Sequence, residues 1–385
     1  MHIKNARILD KNFKLQMADL IISDKIDYIV PLEDDDDVIT GGCVKNPVDS
    51  MGNQVPDKSG NLDLCGGLLI PGLIDIHTHG ALGMDSMSEN LDLEKWRHFM
   101  LQNGITTFYP TTVTETRESI LASLDKLSDA DGIYMEGPFI NSANRGAHDE
   151  DKIALADIEF VKEIADRLSV VIIAPEYQEN MDAIPVLVEK GVKVSLGHSS
   201  ANYETAKEAI DKGASLLVHT FNAMGPLNHR EPNLVGAGLD DDRMFCEVIS
   251  DGIHLHPAIV RILAKALGPK RMVLISDSMA ATGLGDGEYI LGGLKVFVKD
   301  SIARTEYGAI AGSTMNLMNM LRSAVSFGVP LEEAVEMATL TPARAVGIDR
   351  ELGSIERGKT ANLVWLDDDL QIKGVIYKGQ ILPIK

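Results

Sequence analysis

From residue 68 onward, short apolar runs alternate with stretches whose apolar residues recur at helical spacing. This is the signature of repeated βα units around a parallel sheet. Eight runs can be counted: LLIPGLIDIH, TTFYPTTV, GIYMEGPF, VVIIAPE, VKVSLGH, LLVHTF, FCEVISDGIH and MVLISDS. Helices are predicted between them over about residues 91–103, 115–128, 157–167, 180–190, 202–212 and 257–267. Eight such units close a (β/α)8 TIM barrel. Residues 221–242 break the rhythm: their Asn, Gly and Pro (FNAMGPLNHREPNLVGAGLDD) predict a long loop at the barrel mouth in place of a helix.

The flanks read differently. Between Ile3 and Val30 the apolar segments are short and spaced by turns, and a polar, Gly- and Asp-rich stretch follows up to Gly60. After the eighth run, GEYILGGLKVFVKDSIARTE predicts inserted hairpins, and residues 314–327 and 331–339 predict helices. The last segment, SIERGKTANLVWLDDDLQIKGVIYKGQIL, returns to short strands. The expected fold is α/β, a (β/α)8 barrel over residues 67–346 with a small β-sandwich domain built from 1–66 and 347–385.

A chain of 385 residues with 45% hydrophobic content buries a large core, which excludes a small binding module. Its formal net charge of -21 opposes nucleic acid and anionic lipid, which need clustered Lys and Arg. The acidic run Asp34 to Asp37 lacks the alternating ligands of a calcium loop and reads as solvated. Cys43, Cys65 and Cys246, without a CxxC spacing, support neither a disulfide framework nor a thiolate zinc site, and favour a reducing cytoplasm. The opening residues lack a signal-type apolar block and no run long enough to span a bilayer occurs, so neither export nor a membrane partner is expected.

Chemistry gathers at the ends of the apolar runs, where a barrel places its active site. In IDIHTHG, His77 and His79 stand two apart on a strand and face the same side, as two imidazole ligands of one cation require. Glu136 follows the run GIYM, and His198, His219 and Asp277 close the later runs SLGH, LLVH and LISD. Each has an ordinary alternative alone: an incidental pair, a strand-end ion pair, core histidines, a helix N-cap. Four histidines on successive strand ends are hard to accommodate without a metal.

The motifs LIPGLIDIHTHG, YMEGPFIN followed by GAH, VSLGHSSA, HTFNAMGPLNHREP, ISDGIHLHP, ISDSMAATG and AGS, spread over residues 68–365, resemble those of the N-acetylglucosamine-6-phosphate deacetylases of the amidohydrolase superfamily. The resemblance implies that Glu136, His198 and His219 hold a main divalent metal and His77 and His79 a second, so one or two ions of zinc, iron, manganese or similar. It implies that Asp277 is the catalytic base and acid. It also implies substrate contacts from Ala147 and His148 near the acetamide, from Asn222, Ala223, Arg230 and His254, and from Ile310, Ala311 and Gly312 along the sugar. Arg230 and His254 would lie near the phosphate, a role that suits a planar guanidinium. A homodimer is implied, because an Arg or His reaches across the interface in this family.

Two positions depart from the family pattern: Asn233 stands where Gly is usual, and Asp149 and Glu150 where Asn-Pro is usual. Asn tolerates a positive φ, whereas the two acids add negative charge near an anionic substrate. The expected activity is hydrolysis of the acetamide of N-acetylglucosamine 6-phosphate to glucosamine 6-phosphate and acetate. N-acetylgalactosamine 6-phosphate, one epimer away, is the alternative within the family. Dihydroorotase-like and allantoinase-like proteins share HxH after PGLID but not NAMGPLNHREP or ISDGIH. A non-catalytic scaffold is disfavoured because all six strand-end ligands are present.

Overall fold

The structure is a computed structural model that describes residues 1–32, 46–48 and 54–383. The acidic run Asp34 to Asp37 and Cys43 lie outside the described residues.

Eight strands follow one another in a single sheet: Leu73–Thr78, Ile105–Thr112, Tyr134–Met135, Val170–Ile173, Lys193–Leu196, Leu216–Leu217, Phe245–Val248 and Met272–Leu274. From the second to the eighth every pairing is parallel. Their side chains are almost all buried, as expected where helices cover one face of a parallel sheet and the barrel interior fills the other. The ring is completed by a parallel bridge from Thr78 to Ser278 and by the Asp277 amide donating to the His77 carbonyl at 2.9 Å. Buried Asp75 ties the same two strands, accepting from Ser276 Oγ at 2.6 Å and from its backbone amide at 3.2 Å. Burial holds the Asp75 carboxyl up at about 6 despite these bonds.

Helices occupy all six predicted intervals, at Leu93–Gln102, Arg117–Lys126, Ile158–Ala165, Gln178–Glu189, Tyr203–Asp211 and Pro257–Leu267. Thr116, Asp157 and Asn202 each cap the helix they precede by accepting from an amide of its first turn. The interval 221–242 needs correction: Asn233–Asp240 is a helix. Gly236 and Gly238 lower its helical propensity, yet packing requires them. A Cβ would lie 2.3 Å from Pro232 at Gly236, and 2.7 Å from Leu217 at Gly238.

The inserted hairpins form a three-stranded antiparallel sheet of Gly287–Leu291, Leu294–Lys299 and Ile302–Thr305. The helices Leu317–Ser326 and Leu331–Ala338 match expectation, and a further one, Leu340–Val346, ends at Gly347 with φ 84°.

The chain forms two compact units, one of Met1–Ile74, Arg97–Thr107 and Pro330–Lys385, the other of Asp75–Trp96 and Phe108–Val329. In the first, strands from both termini share one eight-stranded sheet. His2–Leu9 pairs antiparallel with Leu15–Ile22 and parallel with Leu68–Pro71, which in turn pairs antiparallel with Leu363–Leu366. Ile8, Leu20, Leu69, Leu363 and Trp365 belong to its core. Cys65 is disulfide-bonded and Cys246 is free and buried. The sparse cysteines did not foretell that cross-link.

Candidate metal centre and active site

The six strand-end residues meet around one carboxylate. Oε1 of Glu136 lies 2.7 Å from His198 Nε2 and 3.2 Å from His219 Nε2, while Oε2 lies 3.3 Å from His77 Nε2 and 2.9 Å from His79 Nε2. Asp277 Oδ1 stands 3.2 Å from His79 Nε2 and 3.7 Å from His77 Nε2. Glu136 therefore divides the site into a His198/His219 half and a His77/His79 half, and Asp277 adjoins the second. His198, His219 and Asp277 have φ of 46°, 23° and 47°. Such left-handed backbone is costly for these residues and recurs here where strands turn into loops.

Outward hydrogen bonds fix the tautomers. His79 Nδ1 donates to the Thr111 carbonyl at 3.1 Å, His198 Nδ1 to the Asn144 carbonyl at 2.8 Å, and His77 Nδ1 to Glu247 Oε2 at 3.0 Å. Each then presents the Nε2 lone pair inward, as metal-ligating histidines do. Tetrahedral sites with bonds of about 2.0–2.1 Å set their ligand atoms about 3.3 Å apart, close to the separations seen here. The donor set thus fits a divalent cation, or two sharing Glu136.

His148 differs. Its Nδ1 accepts from the Thr114 backbone amide at 3.1 Å and faces Thr114 Oγ1 at 2.8 Å. An amide can only donate, so the His148 proton sits on Nε2, which points at Glu136 Oε1 from 3.6 Å. His148, His198 and Glu136 are close enough to form a ligand triad, but this tautomer makes His148 a hydrogen-bond donor into the pocket. Burial drives its pKa down to about 4, keeping the ring neutral.

The ionisable groups hold one another. Burial opposes charge on Glu136, but the surrounding imidazoles of His148, His198, His219 and His77 keep its carboxyl well below the usual range. Burial likewise opposes charge on Asp277, but the adjoining His79 and His77 rings leave it at about 2, so it is a carboxylate at neutral pH. Burial lowers His79, but Asp277 and Glu136 outweigh it and raise the ring to about 9, so a proton competes with a cation for its Nε2.

A cavity of about 260 Å³ opens over this centre. Ala147, His148, Asn222, Ala223, His254, Ile310 and Gly312 all line it, together with His79, Glu136, His198, His219 and Asp277. Asn222 Nδ2 donates to the His219 carbonyl at 3.1 Å, and Asp251 Oδ2 accepts from His254 Nδ1 at 2.7 Å. Gly312, at φ 72°, brings its backbone so near that a Cβ would lie 2.9 Å from the Asp277 carbonyl. Two expected residues are elsewhere. Ala311 is buried in the apolar cluster with Met279, Leu291 and Val296. Arg230 is exposed and lines a separate cavity beside Tyr203 and Asn233.

The departures from the family pattern have local explanations. Asn233 adopts φ 56° and donates from Nδ2 to the Pro226 carbonyl at 2.9 Å. Asp149 faces Lys152 at 3.5 Å and Glu150 faces Arg145 at 3.3 Å, so the added acids meet nearby cations. The sequence reading missed Glu247, which is fully buried in FCEV. Its signal was a carboxylate in the middle of an apolar run, where a charge requires partners.

Imidazoles and carboxylates converging at the strand ends of a parallel barrel define the metal-dependent hydrolase class. Residues 68–382 match the Amidohydrolase family, and the chain belongs to it. It is 38% identical over 330 residues to N-acetylglucosamine-6-phosphate deacetylase of Vibrio furnissii, covering 82% of each chain. It is also 38% identical over 330 residues to N-acetylgalactosamine-6-phosphate deacetylase of Escherichia coli O157:H7, covering 82% of this chain and 87% of that one. Among solved structures, a mutant N-acetyl-D-glucosamine-6-phosphate deacetylase of Mycobacterium smegmatis in complex with N-acetyl-D-glucosamine-6-phosphate superposes with a TM-score of 0.85 at 32% identity, covering 99% of this chain and 98% of that one.

Proposed function

We propose that the protein removes the acetyl group of N-acetylglucosamine 6-phosphate, releasing acetate and glucosamine 6-phosphate. The observation that carries this reading is the pairing of a carboxylate, Asp277, with an N–H donor, His148, on one small cavity whose floor is the Glu136 centre. Glu136, His198 and His219 would hold a divalent cation, zinc, iron or manganese, with His77 and His79 facing a second. Such an ion would supply a lowered pKa for bound water and polarisation of a carbonyl. Asp277, ionised at neutral pH, takes the proton of the attacking water and delivers it to the departing amine. The Nε2–H of His148 donates to the oxyanion that forms from the acetamide oxygen.

Asn222, Ala223, Ile310 and Gly312 would enclose the sugar, and His254 would meet the phosphate. Exposed Arg230, outside its own chain's cavity, supports a homodimer in which it completes the site of a second copy. Every proposed site residue falls in the barrel domain, 67–346, and none in the terminal domain, 1–66 with 347–385. A phosphomonoester crosses bilayers poorly because burying its charge is costly, which favours a cytoplasmic setting.

Equal identity to the galactosamine relative keeps that epimer as the second reading. Acetate release from both 6-phosphates and from the unphosphorylated sugars separates the two. The gluco-phosphate is expected to give the highest kcat/KM, and Arg230→Ala to raise KM about tenfold or more for phosphorylated substrates only. Equal turnover without phosphate would overturn the substrate assignment.

A further inference from the structure

We propose that Glu247 is a positioning residue that aims His77 and thereby secures a second divalent cation in the His77/His79 half of the centre. This rests on the metal-site reading above. The backing groups of the inward-facing imidazoles are unequal. His79 and His198 donate to neutral backbone carbonyls, Thr111 and Asn144. His219 Nδ1 is buried without a partner among the described residues. His77 alone is backed by a carboxylate, at 3.0 Å from Glu247 Oε2.

Glu247 is held on both carboxylate oxygens. It is fully buried, its Oε1 accepts from Tyr134 Oη at 3.0 Å, and its Oε2 also faces the His219 amide at 3.4 Å. An imidazole that donates to a fixed carboxylate is locked in one tautomer and orientation, and its opposite nitrogen becomes more basic. Of the described centre, the His77/His79 half has the greater need of this. It has two imidazoles and a share of Glu136, with Asp277 committed to proton transfer. A pair of dications also brings four positive charges into a buried space where Glu136 and Asp277 supply two negative ones. Glu247 adds a third without occupying a ligand position.

The test is cation content and affinity in the full-length protein, read apart from turnover. Metal-free wild type, Glu247→Gln, Tyr134→Phe and His79→Ala are titrated with Co²⁺, following bound metal by elemental analysis and the visible absorption of the ion. Wild type is expected to take two ions per chain, and His79→Ala one. Glu247→Gln, nearly isosteric, is expected to keep the first and bind the second about 10–100-fold more weakly. Tyr134→Phe, which frees one oxygen of Glu247, should fall between. Two ions in Glu247→Gln with wild-type affinities would overturn the role of Glu247 and leave the metal-site reading standing. A wild type that binds one ion would overturn the second site, and one that binds none would overturn both. A Glu247→Gln protein that fails to fold leaves Tyr134→Phe to decide: an unchanged second affinity there counts against the proposal.

Discussion

Glu136 offers one carboxylate oxygen to each half of the centre, so a single residue from the third barrel strand couples ligands that lie up to 200 residues apart in the chain. Asp277 adjoins only the His77/His79 half, 3.2 Å from His79 Nε2, and is the proposed carrier of the proton. Asp277→Asn is therefore expected to retain fold and metal while lowering kcat by about 10²–10⁴-fold; metal analysis beside acetate release checks this, and near-normal turnover would remove the role. At this scale the sequence showed the six residues that end apolar runs, because a polar residue stands out there. It did not show Asp75 and Glu247, which sit inside such runs and are legible only once their partners Ser276, Tyr134 and His77 are placed. The tautomer of His148 was likewise invisible, since it depends on the backbone amide of Thr114.

Loops after the strands supply the rest of the pocket, and their internal hydrogen bonds decide which side chains face it. In the loop after the seventh strand, Asp251 accepts from the amides of Ile253 and His254, both at 2.8 Å, and from the His254 ring. Burial opposes charge on both partners, but their mutual hydrogen bond lowers Asp251 below 3.8 and raises His254 above 6.5. The depressed acid contributes stability present above its unfolded pKa and lost as pH falls through the folded one. The raised base contributes stability that is full below 6.5 and lost as pH climbs through its folded pKa. Asp251→Asn should then cost about 3–5 kcal/mol near pH 6, and the deficit should shrink at alkaline pH. Denaturant unfolding at both pH values checks it, and a pH-independent deficit would contradict the ion pair. The helix Asn233–Asp240 was the element least legible in sequence, because glycines that serve close packing imitate a loop.

The whole molecule was legible because eight apolar runs at βα spacing admit few topologies, and the ring closes where the first and eighth strands meet at Thr78 and Ser278. The terminal strands were legible as short and alternating, while their order in one mixed sheet depends on pairings between distant segments. A net charge of -21 opposes an anionic sugar, so the proposed recognition would need His254, which lines the cavity, and the Arg230 proposed to come from a second copy to offset that field. The disulfide at Cys65 could not be inferred from three sparse cysteines. That distant strand ends assemble one cation-dependent hydrolytic centre is tested most directly by stripping the protein with a chelator and counting metal while measuring acetate release from N-acetylglucosamine 6-phosphate. Turnover is expected to vanish with the metal and return in proportion to the ions restored per chain. Undiminished acetate release from the stripped protein would contradict it.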